Sequence, residues 1–187
     1  MRLFLAINLD LGVRRSLVEA TAPLRTAAPT LSWVDETRLH LTLKFLGEQS
    51  EDVVPRVAAS VSEVAERHKQ FTIKLSDVGA FPNFRRARVV WMGIERDPRL
   101  ELLQHDVEVA CQELGFELDG RAFRPHLTLA RVKDRTEVEE LRRLSRASKR
   151  IDFEEETGVE SIDLMLSKPD HAAVRYQRLH AAPLRSN

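Results

Sequence analysis

Leu39-His40-Leu41-Thr42-Leu43 and Pro125-His126-Leu127-Thr128-Leu129 write one pattern twice, a little under half a chain length apart. In a strand, side chains at i and i+2 share a face. His40 and Thr42 therefore point one way, while Leu39, Leu41, Leu43 and Phe45 point the other, into a core. The second copy places His126 and Thr128 on one face and Pro125, Leu127 and Leu129 on the other. Each strand offers an imidazole and a hydroxyl about 7 Å apart on one surface. If the two strands face each other, one cleft holds two of each. The period is too long for a solenoid, so an internal duplication is the better reading.

The flanking sequence places both copies in an α+β framework. Leu3 to Ile7 is a short apolar run that reads as a buried strand. Asp10 opens a helix with Val13, Leu17, Ala20 and Leu24 at helical spacing, and Pro29 ends that region. Leu31 to Val34 and Leu39 to Leu46 read as strands, then a helix spans Glu51 to His68. Phe71 to Val78 alternates as a strand, Gly79 to Phe84 carries turn chemistry, and Val89 to Ile94 is the next strand. Asp97-Pro98 starts a helix that Gly115 closes, and Leu127 to Val132 is a strand. Glu137 to Ser148 is a helix with Val138, Leu141 and Leu144 inward and Arg142, Arg143 and Arg146 outward, solvated. Ile151 to Phe153, Val159 to Leu166 and Ala173 to Leu179 close the chain as strands. Hairpin-scale connections favour antiparallel pairing. No Pro/Ser/Gly-rich linker interrupts this, so residues 1–187 are expected to form one unit of two lobes.

Composition narrows the function classes. The chain has 187 residues, 43% hydrophobic and 31% charged, which fits about one soluble domain. Lys+Arg and Asp+Glu number 29 each, so the broad positive field of a duplex-wrapping protein is absent. A local anion site remains compatible with that balance. A single cysteine, Cys111, forms no internal disulfide and lies on the apolar stripe of its helix. Apolar runs fall far short of the ~20 residues that span a bilayer, and the N-terminal run is too short for a signal peptide. A cytoplasmic setting without membrane contact is expected.

Two histidines with hydroxyl donors and no carboxylate cluster suit a phosphodiester. A neutral imidazole deprotonates an attacking oxygen while an imidazolium protonates the leaving one. The threonine hydroxyls donate to non-bridging oxygens as charge builds there. An unperturbed imidazole pKa near ~6.5 allows one neutral and one charged form together. No metal or cofactor is required, and neither copy has a second ligand at zinc-binding spacing. A lone strand histidine is usually structural, and the shared threonine and apolar backing are what single this pair out. His68, His105, His171 and His180 lack that context and are read as helix-surface or terminal-strand residues.

The two motifs resemble the H-x-T-x pair of the 2H phosphoesterase superfamily, and more closely that of the RNA 2′,3′-cyclic phosphodiesterases, often called 2′-5′ RNA ligase-like proteins. The resemblance covers essentially the whole chain. It includes Arg2 to Ile7, Leu39 to Gly47, Gly79 to Pro82 leading to Arg88 to Gly93, and Phe123 to Arg131, with Ser167 and Tyr176 in the closing strands. It implies a bilobal α+β fold, two antiparallel sheets lining a central cleft, and helices packed outside. It also implies water opening a 2′,3′-cyclic phosphate at an RNA end or on a small nucleotide, leaving a 2′-phosphate without metal. His40 and His126 match the catalytic pair. The assignment taken is His40 as acid and His126 as base, although symmetric motifs leave the order open. Thr42 and Thr128 match the phosphate-binding threonines, and Arg131 matches a basic position that holds the phosphate.

Strict alternation puts Arg131 on the face of Leu127 and Leu129, so its role needs a bulge, a strand end or a long reach. The same parity gives Phe45 to packing. Phe81 and Phe84, with Arg85, Arg86 and Arg88, are the candidates for contacting RNA. A monomer with no obligatory protein partner is expected. The alternatives are reversal of the reaction to make a 2′-5′ linkage, action on other small cyclic phosphates such as those of ADP-ribose, and a non-catalytic RNA-end binding module.

Overall fold

The computed structural model describes residues 1–168 and 174–186. The elements run β1 (Arg2–Asn8), α1 (Leu11–Ala20), α2 (Ala22–Ala27), β2 (Ser32–Trp33), β3 (His40–Glu48), α3 (Val53–Ala65), β4 (Phe71–Phe81), β5 (Val89–Ile94), α4 (Pro98–Glu113), β6 (His126–Arg131), α5 (Val138–Ser148), β7 (Glu154–Val159), β8 (Ser161–Lys168) and β9 (Arg175–Pro183). Short 3-10 turns lie at Glu36–Arg38 and Phe84–Arg86. No helix among the described residues is long and apolar enough to cross a membrane.

The strands pair antiparallel in the order β7-β4-β5-β6-β3-β1-β8-β9, with β2 added on β6. The two expected sheets are thus joined at their inner edges through β3 and β6. These motif strands share one register pair, Leu41↔Leu127. On one sheet face the core holds Leu3, Leu5 and Ile7 of β1, Leu41 of β3, Leu127 of β6, and Ile162 and Leu164 of β8, each 0–1% exposed. Helix α3 packs on β8 and β9, and α4 packs on β3. Cys111 belongs to this core, and burial pushes its thiol pKa up to about 11.

Several elements differ from expectation for local reasons. The helix after Asp10 breaks into α1 and α2 at Thr21, whose hydroxyl donates to the Leu17 carbonyl at 2.7 Å. Two residues on, Pro23 has no N–H to continue the ladder. Gly79 to Phe81 extend β4 instead of forming a turn, because Gly79 and Phe81 pair with Trp91 and Val89 of β5. A Cβ at Gly79 would collide with the Trp91 indole, so the glycine marks a close approach. The segment Ile151 to Phe153 precedes its strand, which is Glu154–Val159. Val138, expected inward, is 64% exposed; Leu141, Leu144 and Glu140 take the buried face of α5 instead. Glu140 is satisfied there by the N–H and hydroxyl of Thr30 at 2.9 and 2.7 Å. His68 is 8% exposed and its Nε2 meets Asp106 at 2.8 Å, tying the end of α3 to α4. His171 and Ala173 lie outside the described residues.

Candidate functional site

Antiparallel pairing about Leu41↔Leu127 sets the symmetry of the site. One residue either side, His40 comes opposite Thr128 and Thr42 opposite His126. The motifs meet side by side within one sheet, on the face away from the leucines.

Both imidazoles are held by the same local bond. His40 Nδ1 lies 2.7 Å from the Arg38 carbonyl oxygen, and His126 Nδ1 lies 2.6 Å from that of Arg124. A carbonyl only accepts, so Nδ1 carries the hydrogen in each ring and the lone pair of the neutral form sits on Nε2. His40 Nε2 meets the Thr42 hydroxyl at 3.1 Å, which donates to it while the ring is neutral. Aromatic rings fix both planes. Phe4 and Tyr176 contact His40 at centroid distances of 5.0 and 5.2 Å. Phe81 meets His126 edge-on at 5.1 Å and rests in turn on Trp91 at 5.1 Å.

Beyond the threonines, the register slips in both motif strands. Leu5 of β1 faces Lys44 while Ala6 faces Thr42, so Leu43 is an extra residue. Val90 of β5 faces Ala130 while Trp91 faces Thr128, so Leu129 is the extra residue in β6. Two consecutive residues are buried at each slip, Leu43 with Lys44 and Leu129 with Ala130. Parity then reverses. Arg131 becomes exposed on the face of His126 and Thr128, the bulge its role required. Phe45, expected to pack, is a correction: it is 64% exposed, opposite Phe4 in register and 6.3 Å from its ring. The two copies thus match at His, Thr and the bulge, and differ at the next side chain, an aromatic in one and a cation in the other.

Burial pushes the His40 pKa below the ordinary imidazole value. The bond to the Arg38 carbonyl opposes this, and the charges of Arg14, Arg131 and His126 add to the depression. The second motif therefore acts on the first motif's histidine, through Arg131 and, when it is protonated, His126. In the unfolded chain His40 titrates near ~6.5. With its folded pKa lower, the stability it contributes is complete above that value and is lost as pH falls through the folded pKa. Urea midpoints should fall between pH 7.5 and pH 5, and by less in His40→Asn; equal falls in both would remove His40 from the acid sensitivity.

The bulge in β3 and the carbonyl anchors are what sequence reasoning missed; for β6 a bulge is one of the ways named above for Arg131 to reach the site. Backbone acceptors leave no residue signature, although a doubled buried pair such as Leu129-Ala130 is a weak sign of a bulge.

Comparison with known proteins identifies the family. The model of the 2′-5′ RNA ligase superfamily matches residues 13–170. A relative from Methanothermobacter thermautotrophicus, named RNA 2′,3′-cyclic phosphodiesterase, is 35% identical over 133 residues, 71% of this chain and 72% of its own. Among solved structures, TT0787 of Thermus thermophilus superposes with a TM-score of 0.81 at 30% identity, covering 100% of this chain and 99% of that one. LigT of E. coli, complexed with 3′-AMP, superposes with a TM-score of 0.76 at 27% identity, covering 98% and 97%. A family match that begins in α1 and ends just past β8 takes in both motif strands, and the chain belongs to the 2′-5′ RNA ligase superfamily.

Proposed function

We propose that this chain is an RNA 2′,3′-cyclic phosphodiesterase that opens the ring with water and leaves a 2′-phosphate. The observation that carries the reading is the pair of Nδ1-anchored imidazoles, which leave the Nε2 lone pairs for proton transfer, that of His40 shared with the Thr42 hydroxyl. The name shared by relatives at 30–38% identity supports the substrate.

Water attacks the phosphorus and gives its proton to His126 Nε2. The P–O3′ bond breaks and His40 Nε2–H protonates the departing 3′-oxygen. His40 is neutral at rest, and the phosphodiester's negative charge raises its pKa as the substrate enters. Protonation of Nε2 also reverses its bond to Thr42. The threonine hydrogen is thereby released for a non-bridging oxygen, which Thr128 and Arg131 help hold. Exchange with solvent returns both rings to their starting forms. All five groups come from one chain read as a single bilobal unit, so neither cofactor nor partner chain is needed. A cytoplasmic setting joins an RNA substrate to a reducing environment that suits the lone Cys111.

The test is an oligoribonucleotide ending in a 2′,3′-cyclic phosphate, incubated in EDTA, with the product identified as the 2′- or 3′-phosphate. Ring opening to the 2′-phosphate is expected. Binding without opening would make the protein an RNA-end binder, and joining to a 5′-hydroxyl end in place of hydrolysis would make it a ligase.

The exposed Phe45 ring gives the site a surface for the terminal base. Base–aromatic stacking is worth about 1–3 kcal/mol. Phe45→Ala should therefore raise KM for a 2′,3′-cyclic nucleotide about tenfold and change kcat far less; a selective fall in kcat would overturn that role.

A further inference from the structure

The strongest feature outside the cleft is a groove between the Phe84–Arg86 turn and α5. Phe84, Val138 and Leu141 give it an apolar lining, and Arg85, Arg142, Ser145 and Arg146 complete it. Arg142 and Arg146 share one carboxylate, Glu139, at 3.4 and 3.0 Å, while their side chains remain 70% and 67% exposed. Three guanidiniums against one carboxylate leave the groove positive, although the whole chain has no net charge.

One chain segment, residues 81–88, reaches from the site to the groove. That segment begins at Phe81, whose ring contacts His126. It ends at Arg88, whose carbonyl accepts from Val132 N–H at 2.9 Å, next to Arg131. Its base is closed by Arg88 N–H donating to the Phe81 carbonyl at 2.8 Å. The tip of the same segment carries Phe84 and Arg85 into the groove.

We propose that this groove is a track for the single-stranded RNA on the 5′ side of the reacting end. Apolar surface flanked by arginines is what a flexible polynucleotide needs: bases settle on the apolar lining while phosphates meet the guanidiniums. A duplex-binding surface would need a much broader positive field than this chain has. The inference rests on the hydrolase reading and deepens it, since the preferred substrate becomes an RNA strand over a lone cyclic nucleotide. The arginines of α5, expected to be merely solvated, acquire a binding role.

The test compares wild type with Arg142→Gln/Arg146→Gln, and separately with Arg85→Gln on the opposite wall. Substrates are a decaribonucleotide ending in a 2′,3′-cyclic phosphate and a 2′,3′-cyclic mononucleotide. The double variant should lose about tenfold in kcat/KM on the decamer at low salt and stay within about twofold on the mononucleotide. The log–log salt dependence of decamer binding, read by fluorescence anisotropy, should become shallower by about 0.7 for each arginine removed. Unchanged decamer binding and turnover would overturn the track while leaving the hydrolase reading intact. Equal losses on both substrates would overturn it too, since the change would then act through the fold. Wild type that binds the decamer through these arginines yet opens neither substrate would sink the hydrolase reading alone.

Discussion

Replacing His126 with alanine should lower kcat on a 2′,3′-cyclic-phosphate oligonucleotide by about 10²–10⁴, and His40→Ala should do the same. Each proton transfer in the proposed reaction depends on one Nε2 atom, and no other imidazole among the described residues is placed to take over. His68 is committed to Asp106, and His180 Nε2 meets the Ser62 hydroxyl at 2.9 Å on the helix side of the sheet. Replacing the exposed His105 should leave kcat within about twofold. The double variant His40→Ala/His126→Ala should fall little below either single one, because groups that act as a unit lose their combined effect together. The pH dependence separates the roles. Wild type should give a bell whose two macroscopic pKa values belong to the pair. Loss of the base removes the acidic limb, where rate rises as the base deprotonates, and loss of the acid removes the alkaline limb. His126→Ala should therefore lose the acidic limb and His40→Ala the alkaline one. The opposite pattern would exchange the roles while keeping the site; single variants within a few-fold of wild type would remove both residues from the chemistry.

The part of this site that could be read from the sequence is the part governed by alternation alone. His40 with Thr42, and His126 with Thr128, lie two residues apart within regular strand, so their shared face follows from the pleat. Phe45 and Arg131 lie beyond a bulge in each strand, and one inserted residue reverses every later side chain. Leu43 and Leu129 look like ordinary core positions, and only the pairing with β1 and β5 shows them to be extra. Gly79 misled for a related reason. Beside Ala80-Phe81-Pro82 it has the composition of a turn, and its real purpose is room for the Trp91 ring twelve residues later. Long-range neighbours decided all three positions, and no local pattern carries that information. The sheet order depends on partners in the same way, yet the α+β class followed from periodicity and connection length.

The largest expected loss of stability lies behind the first bulge, at Lys44. Its Nζ meets Glu108 Oε2 of α4 at 2.6 Å, with the two side chains only 4% and 10% exposed. It also donates to the Glu117 carbonyl at 2.8 Å. Glu108 in turn accepts from Gln104 Nε2 at 3.3 Å and Asp119 N–H at 3.3 Å. The pair therefore fastens the motif strand to α4 and to the segment that leads towards Pro125 and His126. Lys44→Met keeps the apolar stem but leaves a carboxylate buried without its cation. Such an uncompensated charge costs about 3–5 kcal/mol. For a chain of this length the melting temperature should fall by roughly 10 °C. Adding Glu108→Gln removes the stranded charge while keeping an acceptor for Asp119 N–H, so Lys44→Met/Glu108→Gln should be more stable than Lys44→Met. A single variant within about 1 kcal/mol of wild type, or a double variant no better than the single, would show that the pair does not hold this layer. Well below its own transition, Lys44→Met should keep kcat within a few-fold of wild type, because Lys44 lies on the core side of the bulge that turns Phe45 into the cleft.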